Sequence, residues 1–95
     1  MNNIYAISIF SAEAMNRIIK IEADDNEMRN FLRDKINSVL KYFSPFVSID
    51  YCFESLKEYL PSHIYKLKLG RGGNHIWISN EENQRLAIIE FRPLY

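Results

Sequence analysis

Apolar positions along the chain switch between a spacing of two and a spacing of three to four, and each switch marks an element. In residues 4–10, Tyr5, Ile7 and Ile9 alternate with Ala6 and Ser8, which predicts a first strand. The next stretch, SAEAMNRIIKIEADD, carries both patterns. Ala12, Met15, Ile18 and Ile19 stand at helical spacing behind Ser11 as an N-cap, whereas Ile19 and Ile21 alternate with Lys20 and Glu22. The run IIKIE favours a strand over residues 17–23, with a helix from Ser11 as the other reading. Asp24 and Glu27 then have capping-box spacing, so a helix should begin there. Met28, Phe31, Leu32, Ile36, Val39, Leu40 and Phe43 form its apolar stripe, and Pro45 prevents its continuation. At about 2 kcal/mol of transfer free energy per large buried side chain, this helix is the main anchor of a core.

Residues 46–53 alternate again, with Val47, Ile49, Tyr51 and Phe53 opposite Ser48, Asp50 and Cys52, which predicts another strand. Residues 54–60 read as a short helix stopped by Pro61. Residues 63–69, 75–79 and 85–92 read as strands joined by Gly70-Arg71-Gly72-Gly73 and by residues 80–83. The expected fold is therefore α+β and two-layered, with one long amphipathic helix packed on a mostly antiparallel sheet that ends in a three-stranded meander.

The length supports one core and hence a single domain over residues 1–95. Hydrophobic residues make up 47% and charged residues 25%, the balance of a globular chain rather than a disordered one. Twelve basic residues cancel twelve acidic ones, so no overall field draws the chain to nucleic acid, and an acidic mimic of DNA is equally disfavoured. Cys52 is the only cysteine, which leaves no intrachain disulfide and points to a reducing, cytoplasmic setting. The start MNNIYAISIF lacks the pattern of a signal peptide and no apolar run reaches membrane-spanning length, so no membrane partner is expected.

Few residues carry the signature of a reaction. The GRGG loop leads into the strand-like NHIWIS rather than a helix, unlike a P-loop or a dinucleotide-binding turn. His63 and His75 each stand at the start of a strand with no ligand-like spacing between them. Cys52 reads as a small buried thiol, and Asp24, Asp25 and Glu27 as negative charge suited to a helix N-terminus. No catalytic residue, metal or cofactor is assigned on this basis, although His75 is the best placed general acid or base.

The meander is more informative. If Tyr65, Leu67, Leu69, Ile76, Ile78, Ala87, Ile89 and Phe91 point inward, the other face carries Lys66, Lys68, His75, Trp77, Leu86, Ile88, Glu90 and Arg92. An apolar centre rimmed by charge is the pattern of a binding surface, with Trp77 as anchor, Leu86 and Ile88 excluding water, and Lys68, Arg71, Glu90 and Arg92 orienting a partner. This predicts a protein-binding module of the inhibitor or immunity type, either neutralising a toxin or acting as a phage-encoded antagonist of a host enzyme. GGNHIWISN and the strand after it, residues 72–91, resemble the glycine-glycine-asparagine turn of the SUKH immunity proteins, from which no residue role is carried over.

Two alternatives use the same face. Were SAEAMNRIIKI helical, the order strand, two helices and a run of strands resembles that of the RelE-type mRNA-cleaving toxins. That resemblance implies a phosphate-orienting set drawn from Lys66, Lys68, Arg71, His75, Arg92 and Tyr95. Neutral net charge, and the bulk of Trp77, Leu86 and Ile88 among the cations, oppose it. In the other alternative the apolar patch is the interface of a structural homodimer.

Overall fold

The longest apolar stripe in the sequence becomes the longest helix. In the computed structural model, which describes residues 9–94, α1 (Asn26–Leu40) buries Leu32, Ile36, Val39 and Leu40. Its N-cap is Asp25, not Asp24: the Asp25 carboxylate accepts from the Met28 backbone N–H at 2.9 Å, and Glu27 adds negative charge to the first turn. The helix closes at Lys41, short of Phe43.

The second helix corrects the sequence reading. Residues 46–53 form no strand; α2 (Ile49–Tyr59) runs through most of them and absorbs the short helix expected over 54–60. Ser48 stands in extended backbone and its hydroxyl accepts from the Tyr51 N–H at 3.2 Å, an N-cap three residues before its donor. Behind that cap, Ile49, Cys52, Phe53, Leu56 and Leu60 repeat at helical spacing, and Cys52, Leu56 and Leu60 are buried. The alternation of Val47, Ile49, Tyr51 and Phe53 coexists with this stripe, and the cap together with packing on α1 decides between them.

Among the described residues four strands follow the period-two pattern: β1 (Met15–Ile21), β2 (Lys66–Leu69), β3 (His75–Ser79) and β4 (Arg85–Pro93). The strand reading of the ambiguous stretch stands, and Ser11 caps no helix: its hydroxyl donates to the Glu13 and Phe46 carbonyls. Residues 63–65 lie outside β2. Most of the strand expected over residues 4–10 lies outside the described residues, and within it Phe10 forms an isolated antiparallel bridge to Val47.

The sheet is wholly antiparallel in the order β1-β4-β3-β2, so the meander predicted from the last third acquires β1 as its fourth member. Both helices cover one face. Ile76, Ile78, Ala87, Ile89 and Phe91 meet Leu32, Ile36, Leu56 and Leu60 in one apolar cluster, and Ile76, Ile78, Ala87 and Ile89 are fully excluded from solvent. Arg17 also points inward, and its guanidinium donates to the Phe43 and Ser44 carbonyls just beyond α1, tying the edge strand to the helix end. Among the described residues no helix is long and apolar enough to cross a membrane.

Candidate functional site

Since α1 and α2 lie on the same side, the opposite face of the sheet is covered by no element among the described residues. Strand register sets what it displays. Across the middle, Lys68 pairs with Trp77, Trp77 with Ile88, and Ile88 with Lys20, so one row crosses all four strands. The next row places His75 beside Glu90 and Glu90 beside Ile18, and the row on the other side places Lys66, Ser79 and Arg85 together. Arg92 faces Asn16 at the far end.

Of the residues singled out in the sequence, Lys66, Lys68, His75, Trp77, Ile88, Glu90 and Arg92 share this face. Leu86 does not. The ladder between β3 and β4 slips by one residue at Ile78/Ser79, and the resulting bulge turns Leu86 towards the apolar core. Its carbonyl instead accepts from the Glu22 and Ala23 N–H groups at 2.7 and 3.0 Å, holding the end of β1. Arg71 stands exposed at the tip of the hairpin turn, beyond the strand ends, and Tyr95 lies outside the described residues. His63 precedes β2 and stays apart from His75.

The face also holds residues that the sequence pattern left out. Ile18 and Lys20 come from β1, whose pairing with β4 joins segments about seventy residues apart in the chain. Arg85 lays its guanidinium over the Trp77 ring, 4.6 Å from the centroid, and its Nε donates to Glu22 Oε1 at 2.5 Å. Trp77 is thereby held between Arg85 and the backbone of Gly70, where an added Cβ would stand 3.1 Å from the indole Nε1. That Nε1 is buried with no acceptor in reach among the described residues, which costs about 1–3 kcal/mol for a buried unmade hydrogen bond.

The polar side of the face is organised around Glu90. Lys20 Nζ lies 2.7 Å from one carboxylate oxygen, while His75 Nε2 and Arg92 each lie 3.5 Å from the other. The Lys20 hydrogen bond, above all, holds the Glu90 carboxyl below its ordinary range; partial desolvation opposes it, and the charges of Lys20 and Arg92 add to it. On the opposite side of Trp77, Lys66, Leu67, Lys68, Trp77, Ser79, Asn83 and Arg85 line a groove of about 380 Å³ that contains no carboxylate. Among the described residues, the strands thus set Lys20, Lys66, Lys68, Arg85 and Arg92 on this face, and their ion-pair partners are Glu22 and Glu90, so the face is net positive in a chain of zero net charge.

Elsewhere the chemistry is quieter. Cys52 is fully buried, and burial raises its thiol pKa against the opposing charge of Arg17. Among the described residues no three His, Cys, Asp or Glu side chains gather to hold a metal ion. No family model, curated protein or solved structure matches the chain.

Proposed function

We propose that the protein is a binding module of the inhibitor or immunity type that engages another protein through the open face of its sheet. One observation carries the reading: Trp77, Ile88 and Ile18 form an apolar centre on a face that no helix covers among the described residues, ringed by five cations although the whole chain is neutral. An aromatic anchor at the centre of a charged rim is how protein interfaces concentrate their binding energy. The excess positive charge selects a partner with an acidic surface, and it opposes a homodimer through this face, because two faces of the same net charge would be brought together. The partner is a toxin or a host enzyme, met in the reducing cytoplasm that a lone thiol suits.

The test is retention of a stoichiometric partner from the source cell on immobilised protein, followed by sedimentation of the purified complex. Wild type should hold the partner and Trp77→Asp should release it. Sedimentation of the isolated chain as a stable dimer that Trp77→Asp dissociates would transfer the face to self-association.

A second reading, a RelE-type message-cleaving toxin, draws on a separate observation. The chain runs strand, helix, helix, three strands, the order on which that resemblance rested, although β1 comes from MNRIIKI and the second helix from the segment expected to be a strand. Lys66, Lys68, His75 and Arg92 lie on one open face. Glu90 weighs against it, since its carboxylate sits among His75, Arg92 and Lys20, where an RNA phosphate would have to bind. Tightly induced expression separates the two: growth arrest with cleaved messages, relieved by His75→Ala with Arg92→Ala, supports the toxin, and normal growth with intact messages supports the binding module.

A further inference from the structure

We infer that the groove beside Trp77 is the subsite that takes an acidic peptide segment of the partner, with Lys66, Lys68 and Arg85 pairing its carboxylates. The inference rests on the binding reading above and adds the chemistry of what is bound.

The groove is built for negative charge. Its lining holds three cations and no acid, and the neutral polar groups of Ser79 and Asn83 complete its wall. Lys68 has no ion pair among the described residues. Among the described residues Lys66 reaches uncharged acceptors, the Glu81 carbonyl at 3.3 Å and the Asn83 side-chain oxygen at 3.5 Å. Arg85 spends its Nε on Glu22 and has its plane fixed against Trp77, which leaves its two terminal amino groups for a ligand in a set orientation. Lys66 and Lys68 are two residues apart on the same face of β2, so their charges repel in the free protein, and an anion between them relieves that repulsion.

The same geometry separates a peptide from a nucleic acid. A single strand needs an open aromatic face on which a base can stack, and Arg85 already covers one face of Trp77 while Gly70 closes on its edge. A phosphate chain continuing across the sheet would then meet the Glu90 carboxylate, whereas a peptide can follow its acidic residues with an apolar one against Ile88 and Ile18.

Trp77 is the only tryptophan, so its emission reports on the groove directly. The full chain is titrated with a synthetic glutamate-rich peptide carrying leucines, with the same peptide bearing lysine in place of glutamate, and with a single-stranded oligonucleotide at the same salt. The expected result is a saturable change with the glutamate peptide alone. Lys66→Glu and Lys68→Glu should each weaken it by about tenfold or more, as expected for close charge pairs, and Arg33→Glu on α1 should leave it unchanged. A response to the lysine peptide, tighter binding of the oligonucleotide, equal weakening by Arg33→Glu, or no response to the glutamate peptide would each overturn the inference. The wider reading fails separately: a partner lost by Trp77→Asp but held undiminished by the lysine reversals leaves the face in place and removes the groove from it.

Discussion

The two faces of β3 and β4 are made from alternate residues of the same strands, yet they obey different rules. Inward, Ile76, Ile78, Ala87, Ile89 and Phe91 are uniformly apolar, and all belong to one buried cluster with side chains of α1 and α2. Outward, His75, Trp77, Ile88, Glu90 and Arg92 mix an aromatic, an aliphatic and opposite charges, with no element among the described residues covering them. The inner face is explained by folding alone. The outer face is not, because a sheet that needed only solubility would carry small polar residues there, without a buried indole N–H that has no acceptor among the described residues.

The sharpest way to break that contrast is to truncate neighbours on opposite faces. Ile89→Ala should cost about 2–5 kcal/mol in urea unfolding, the range for emptying a packed core position, while Ile88→Ala one residue away should cost under about 1 kcal/mol. Comparable losses at both would mean that the outer face is core as well.

Gly70→Ala should come next. The new Cβ would lie 3.0 Å from His75 Cβ and 3.1 Å from Trp77 Nε1, closer than either can accept without moving. A shift in Trp77 emission and a loss of about 1–2 kcal/mol are expected from such crowding. Unchanged emission would show that the indole is not held there.

The smallest effect belongs to Glu90. Its carboxyl titrates below the ordinary value of 4.5 in the folded chain, so its stabilising contribution is complete above that value and is lost as pH falls through the lowered folded value. The stability difference between wild type and Glu90→Gln, followed by thermal unfolding, should therefore be largest near neutral pH and shrink in acid. A difference that stayed constant below pH 4.5 would show that Lys20 and Arg92 do not hold the carboxylate as described.

These regions also differed in how readable they were. The helix α1 was legible because its stripe persists over fifteen residues, far longer than any competing alternation. The helix α2 was not, because the alternation of Val47, Ile49, Tyr51 and Phe53 shares Ile49 and Phe53 with its helical stripe, and the deciding signal was Ser48 standing three residues before Tyr51 as a cap. Period two alone placed Lys68, His75, Trp77, Ile88, Glu90 and Arg92 on one face. It misplaced Leu86, because a bulge changes the phase of a strand without changing its composition. It missed Ile18 and Lys20, because nothing local in MNRIIKI tells which distant strand it will join. The basic character of the face was hidden for a related reason: a net charge of zero sums over the chain and cannot show which charges folding gathers on one side.

The central claim is that Trp77 serves binding rather than folding, and one pair of numbers tests it most directly: partner affinity and thermal stability of Trp77→Asp measured on the same preparation. Binding should be abolished while stability falls by no more than about 1–2 kcal/mol, the cost of one half-buried surface contact. Unfolding of the variant, or partner binding that survives the substitution, would contradict it.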